Sequence, residues 1–264
     1  FKFGGISLNS RVVLVTGGNG FLGKKIGLSL LEQGDTVIFV DSRVAEEEFL
    51  QGMTIRYGES FKFLQCDLED EHERSRLKSY VMQSLGRLDC LINCAAFVGS
   101  SELDGWSVSF EQQSLQTWRR ALEVNVTAPF HLAQLFYHDL KSSADGNIIN
   151  IGSVYGEVAP DFEIYRDTDM TCPAAYAVSK AGLTQLTRWL SSRLAPKVRV
   201  NAIALGGIFR NQPPTFVKRY SSRVPLGRMA TEDDVLGVVR LLSGTDAGYI
   251  TGSVIPIDGG LTAL

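Results

Sequence analysis

Residues 12 to 23, Val12-Val13-Leu14-Val15-Thr16-Gly17-Gly18-Asn19-Gly20-Phe21-Leu22-Gly23, restrict the fold more than any other stretch of the chain. The β-branched, apolar run is too short for a helix and stops at a glycine cluster, after which apolar residues return at helical spacing through Ile26, Leu30 and Leu31. The stretch reads as strand, tight turn and helix. Gly17, Gly20 and Gly23 follow a G-x-x-G-x-x-G spacing. In such a turn the first glycine lets the chain reverse, the second lets backbone approach a pyrophosphate, and the third packs helix against strand. The N-terminus of the helix then holds the phosphates, with Asn19, Phe21 and Leu22 completing the cradle. A second apolar run, Thr36 to Val40, ends in Asp41. That is about twenty residues past the glycines, where a carboxylate accepts hydrogen bonds from the adenosine ribose hydroxyls. The two features together predict a dinucleotide site.

The rest of the chain repeats the alternation. Residues 45–60 read as helix and loop, residues 61–66 as a third strand leading to Asp67-Leu68, and residues 69–85 as an amphipathic helix with Leu77, Val81 and Leu85 on its inner face. Residues 88–93 form a fourth strand ending in Asn93-Cys94-Ala95-Ala96, whose small residues let a cofactor lie against backbone. A long helical pattern runs from Ser114 past Asn125 to about Leu140, Gly146-Asn147 turns it into the strand Ile148 to Ile151, and Gly152-Ser153 follows. Residues 174–194 are helical, 198–204 a sixth strand and 254–257 a seventh. Apolar strands alternating with helices predict an α/β fold, a Rossmann-type doubly wound parallel sheet of about seven strands with helices on both faces. No linker divides residues 1–264, so one domain is expected. In such sheets ligands bind beyond the carboxyl ends of the strands, where Gly17, Asp41, Asp67, Asn93 and Ser153 all fall.

Composition removes several other functions. A net charge of −3 argues against a nucleic-acid or anionic-membrane partner. No apolar stretch reaches transmembrane length and the N-terminus lacks a signal-peptide pattern, so a cytoplasmic protein is expected. The four cysteines contain no C-x-x-C pair, and Cys90 and Cys94 on an extended strand stand too far apart for a disulfide. Reduced, mostly buried thiols follow. The three histidines show no metal-ligand spacing, and no metal is expected.

Tyr176 and Lys180 lie four residues apart, which on a helix places a phenol and an ammonium on one face. A cation beside a phenol favours the phenolate and lowers its pKa. Thr16-Gly17 to Gly23, Asp67-Leu68, Asn93-Cys94-Ala95-Ala96, Asn125, Ser153, Tyr176 with Lys180, and Ile257-Asp258-Gly259-Gly260 occur in the order found in short-chain dehydrogenases/reductases, and the whole chain resembles that family. The resemblance implies hydride transfer between a nicotinamide and an alcohol or ketone. Tyr176 would then be the general acid/base, Lys180 would hold the nicotinamide ribose and lower the tyrosine pKa, and Ser153 would bind the substrate oxygen. Asn125 would anchor a water chain to solvent. Gly206 and Ile208 fall where the family fixes the nicotinamide carboxamide, although Leu205 replaces the usual proline. Asp41 favours NAD over NADP, because its carboxylate repels a ribose 2′-phosphate, and Arg43 reads as a solvated arginine. Family members assemble as homodimers or homotetramers through two long helices, here about 111–140 and 174–194, and through the C-terminal strand.

Two departures bear on the substrate. The family's single-domain members carry TGxxxGxG, whereas Thr16 to Gly23 resembles the TGxxGFxG of the branch that acts on nucleotide sugars. The interval between Ser153 and Tyr176 is also longer than single-domain members carry, leaving an acidic and aromatic insertion over residues 155–173. That segment resembles oxidoreductases encoded with bacterial flagellin-glycan and nonulosonate pathways. A sugar, nucleotide-sugar or sugar-acid substrate is therefore expected. Residues 207–225 fall where the family keeps a mobile lid, and Arg210, Lys218 and Arg219 within it are candidates to meet an anionic substrate group. A cofactor-retaining epimerase or dehydratase is the alternative, and a non-catalytic nucleotide-binding protein a further one.

Overall fold

The computed structural model describes residues 10–98 and 103–263. Seven strands form one sheet: β1 (Val12–Thr16), β2 (Thr36–Asp41), β3 (Phe61–Gln65), β4 (Cys90–Asn93), β5 (Gly146–Ile151), β6 (Val198–Leu205) and β7 (Val254–Ile257). Their order across the sheet is β3-β2-β1-β4-β5-β6-β7, and each neighbouring pair is parallel. The order reverses between β1 and β4. That is the position at which doubly wound sheets open a crevice for a ligand.

Strand residues point alternately to the two faces, and each face is apolar. Val12, Leu14, Ile38, Val40, Leu91 and Ile148 pack on one side with Leu77 and Val81 from helix α3 (Glu71–Leu85). Val13, Val15, Val37, Phe39, Ile92 and Ile149 pack on the other with Ile26 and Leu30 from α1 (Phe21–Glu32). The continuous apolar runs in the sequence are thus the mark of strands covered on both faces. Between α1 and α3, α2 (Glu47–Tyr57) contributes the buried Met53. Local signals set the ends of α3: the Asp70 side chain accepts from the His72 N–H at its start, and Gly86 takes the left-handed conformation, φ 67°, at its end.

The helical pattern from 114 to 140 proves not to be one helix. It divides into α4 (Leu115–Leu122), a π-helical turn over Glu123–Thr127, α5 (Ala128–Leu135) and α6 (Tyr137–Ser142). Pro129 carries no N–H, so the carbonyl of Asn125 four residues earlier has no α-helical donor, and the wider turn absorbs the mismatch. The remaining helices are α7 (Ala174–Leu194), α8 (Pro214–Ser221) and α9 (Asp233–Ser243). Several strand ends shift as well: β3 stops before Cys66, β4 starts at Cys90 rather than Leu88, β5 starts at Gly146 rather than Ile148, and β6 runs on to Leu205.

All four cysteines are free thiols, and burial pushes each of them up to about 12. No described helix is long and apolar enough to cross a membrane. Among the described residues no three His, Cys, Asp or Glu side chains gather as a metal site.

Candidate active site

The glycine turn closes at the carboxyl end of β1. Gly17 adopts φ 67°, and a Cβ there would stand 2.8 Å from the Ala95 Cα. A Cβ on Gly23 would stand 2.1 Å from the Gly17 carbonyl oxygen, so α1 approaches the turn only because Gly23 lacks a side chain. Thr16 Oγ1 accepts the N–H groups of Cys94 and Ala95, each at 3.0 Å, and ties β1 to β4 across the crevice. Gly20 precedes α1 and no side chain caps that helix. Its leading N–H groups are left for an anion. Phe21, its first residue, is 73% exposed, while Leu22 packs on the core.

Asp41, at the end of β2, turns its carboxylate back to the glycine turn. Oδ2 accepts the Asn19 N–H at 3.0 Å, and Oδ1 accepts the Arg43 N–H at 3.1 Å with the Arg43 Nε at 3.5 Å. Arg43, expected as a solvated residue, is 71% exposed yet paired with this carboxylate. Asp67 lies exposed with Oδ1 on the Glu69 N–H, and Leu68 is buried. The Leu68 carbonyl accepts from the Arg74 guanidinium, which also meets Glu123 at 2.7 Å and the His131 Nδ1 at 3.0 Å. Asn93 donates to Asn150 Oδ1 at 2.8 Å, leaving its own buried Oδ1 without a partner. Ala96 is half-buried just beyond β4. A turn that any Cβ would fill, an uncapped helix start and a carboxylate at the end of β2 fit a nicotinamide dinucleotide.

Ser153 follows β5, and its Oγ accepts the Tyr155 N–H at 3.2 Å. Tyr176 and Lys180 occupy the first two turns of α7. Lys180, 2% exposed, donates from Nζ to the Ile151 carbonyl at 2.8 Å, and that nitrogen lies 5.9 Å from the centre of the Tyr176 ring. Burial lowers the ammonium pKa to about 8. Burial also raises the Tyr176 phenol above its ordinary value, while a hydrogen bond with Ser153 works downward. The sequence predicts a phenol lowered by Lys180; in the structure desolvation outweighs every opposing effect on it.

Asn125 is buried in the π-helical turn, with its side chain fully engaged. Its Oδ1 accepts the Phe97 N–H at 2.7 Å, and Nδ2 donates to Ser179 Oγ at 2.9 Å and to the Phe97 carbonyl at 3.3 Å. The side chain therefore braces α7 against the coil that follows β4 and has no free donor or acceptor to spare for the expected water chain. Gly206 donates to the Ile257 carbonyl at 2.9 Å, and the Ile208 carbonyl accepts from Gln212 Nε2 at 2.8 Å. Ile208 also pairs in parallel register with Ala230, an anchor that holds this loop without the family's usual proline.

The insertion and the lid are joined. Two short 3₁₀ turns, Val154–Gly156 and Phe162–Tyr165, shape the insertion, and the Tyr165 hydroxyl donates to the Tyr155 hydroxyl at 2.9 Å. Tyr165 lies 5.3 Å from the Phe216 ring on α8, and Ile164, Phe216, Tyr220, Val224 and Met229 form a small core of their own. Arg219 bonds Asp167 at 3.1 Å and Arg223 bonds Asp161 at 2.5 Å. The expected mobile lid is thus latched to the insertion. Of its three basic candidates, Arg219 belongs to the latch, Lys218 is exposed, and Arg210 turns away to Glu232 at 2.5 Å. The tyrosine pair, the latch and Arg74 had no signal in the sequence, because each depends on how segments without a local pattern fold onto one another.

A family model described as enoyl-(acyl carrier protein) reductase matches residues 20–262. The chain is 33% identical to a rhamnolipid-biosynthesis 3-oxoacyl-[acyl-carrier-protein] reductase of Pseudomonas aeruginosa, covering 96% of this chain and 97% of that protein. It is 26% identical to the post-translational flagellin modification protein A of Campylobacter coli, covering 96% and 98%. Among solved structures, a short-chain dehydrogenase of Leptospira borgpetersenii with bound NAD+ superposes with a TM-score of 0.83 at 31% identity, covering 96% and 93%. The Pseudomonas aeruginosa RhlG/NADP active-site complex does so with a TM-score of 0.80 at 31% identity, covering 97% and 98%. With matches along nearly its whole length to proteins of this one kind, the chain belongs to the short-chain dehydrogenase/reductase family, oxidoreductases that act on CH–OH groups.

Proposed function

We propose that the protein is an NAD-dependent oxidoreductase that interconverts an alcohol and a ketone on a sugar, nucleotide-sugar or sugar-acid derivative. The observation that carries the reaction is the buried Tyr176 phenol, whose ring centre lies 5.9 Å from the Lys180 Nζ and whose upward pKa shift the neighbouring Ser153 opposes. When bound, NAD would supply the hydride acceptor for the alcohol carbon and, in reduced form, the hydride donor for the ketone. Ser153 holds the substrate oxygen, and Tyr176 takes the hydroxyl proton during oxidation and gives it back during reduction. Lys180, next to Tyr176 and already a donor to backbone, holds the ribose hydroxyls. Asp41 supports the choice of NAD, since its carboxylate opposes a 2′-phosphate.

The tyrosine hydroxyls of the insertion support a hydroxyl-rich substrate, and the similarity to the flagellin modification protein accords with it. The 33% identity to a 3-oxoacyl-[acyl-carrier-protein] reductase favours a second reading, reduction of a 3-oxoacyl thioester. Residues 1–264 act as one dinucleotide-binding domain in the cytoplasm. They assemble as a homodimer or homotetramer through the exposed Leu115, Val178 and Trp189 of α4 and α7.

The test is NADH formation or consumption against sugars, nucleotide sugars, nonulosonic acids and 3-oxoacyl thioesters, with Tyr176→Phe alongside. Turnover confined to the carbohydrate panel and lost by at least about 100-fold in the variant supports the proposal. Turnover of the thioester alone selects the second reading. A product of changed mass or stereochemistry without net change in cofactor would make the protein an epimerase or dehydratase.

A further inference from the structure

We infer that Arg210 grips the dinucleotide's pyrophosphate and gives up Glu232 to do so. The inference rests on the dinucleotide reading above and extends it to a residue outside the glycine turn. The Arg210 guanidinium lies 4.9 Å from the centre of the Phe21 ring. Phe21 is the first residue of α1, the helix whose N-terminus carries no side-chain cap and points its free N–H groups into the crevice. Its exposed ring is a platform that keeps a planar cation beside that opening. The one carboxylate paired with the guanidinium among the described residues is Glu232, at 2.5 Å, immediately before α9.

The backbone beneath Arg210 is fixed, so only its side chain has to move. The Arg210 N–H donates to Gln212 Oε1 at 2.6 Å, and Gln212 Nε2 returns a bond to the Ile208 carbonyl. The Phe209 N–H donates to the Ala230 carbonyl at 2.8 Å, and Asn211 turns the chain at φ 57°. A rigid loop therefore presents a long, partly exposed cation next to a helix start built for phosphate. A pyrophosphate offers a guanidinium two oxygens in fork geometry, a better partner than a carboxylate that is itself partly solvated. Glu232 then competes with the cofactor for Arg210.

The experiment is calorimetric binding of NADH, ADP-ribose and AMP to the purified protein and to Arg210→Ala, Arg210→Lys and Glu232→Gln. ADP-ribose carries the pyrophosphate without the nicotinamide, and AMP carries the adenosine end with a single phosphate in place of the pyrophosphate. Arg210→Ala should weaken NADH and ADP-ribose by about tenfold or more and leave AMP within about twofold. Arg210→Lys should recover part of the loss, and Glu232→Gln should tighten both pyrophosphate ligands. Unchanged ADP-ribose binding in Arg210→Ala overturns the assignment, as does an equal loss for AMP, which would mark a damaged fold. If the unsubstituted protein binds neither NADH nor ADP-ribose, the dinucleotide reading falls and this one with it.

Discussion

Arg219 of α8 donates to Asp167 at 3.1 Å, and Asp167 meets it from a left-handed backbone conformation, φ 58°. With Arg223 on Asp161, it fastens the segment over the active site to the insertion that follows Ser153. Both pairs are largely solvated, so they contribute little to global stability and act on local opening. Replacing Asp161 and Asp167 together with Asn should raise amide hydrogen exchange over residues 214–221 several-fold while lowering the unfolding free energy by less than about 1 kcal/mol. Unchanged exchange in that segment would show that the aromatic contacts alone hold it.

Asp41→Ser tests cofactor choice. The substitution removes the carboxylate proposed to meet the ribose and releases Arg43 to meet a 2′-phosphate. The ratio of NAD to NADP affinity should fall by at least about tenfold, read from dissociation constants of the two reduced cofactors. A ratio that does not move would place the discrimination elsewhere.

Asn125→Ala separates bracing from proton transfer. The change deletes three hydrogen bonds and leaves the Phe97 N–H without its partner in a partly buried position. Unfolding should become easier by about 2–3 kcal/mol in denaturant titrations. Since the backbone carbonyl survives, kcat in the still-folded protein should fall less than in Tyr176→Phe; an equal fall would return the side chain to the proton path.

The buried Lys180 leaves a mark on the pH dependence of stability. In the folded chain burial lowers its pKa from 10.5 to about 8. Between those values the unfolded chain binds more protons, so stability rises with pH; below about pH 8 the full cost of the buried charge is present. Relative to Lys180→Met, the natural protein should gain on the order of 2 kcal/mol of unfolding free energy from pH 8 to pH 9.5. Parallel curves for the two proteins would mean that Lys180 keeps an ordinary pKa.

What the sequence discloses is what local chemistry decides. Val12 to Thr16 followed by three spaced glycines has one reasonable conformation, and Tyr176 with Lys180 share a helix face by spacing alone. The break at Asn125 escaped because the amphipathic pattern continues through it, although Pro129 carried the signal. The phenol's upward shift was hidden because desolvation depends on everything packed around Tyr176, not on its neighbour four residues on. Tyr155 with Tyr165 depends on how the insertion folds back on itself, and Arg219 with Asp167 on how the insertion and α8 fold onto each other; neither segment specifies that on its own.

The four native thiols, all held near 12, are almost wholly protonated at neutral pH and so nearly silent toward maleimides and disulfide reagents. A single cysteine placed on exposed Lys218 would therefore react alone. Its labelling rate with and without cofactor would report the opening of α8 directly, with no need to strip the chain of its own cysteines first.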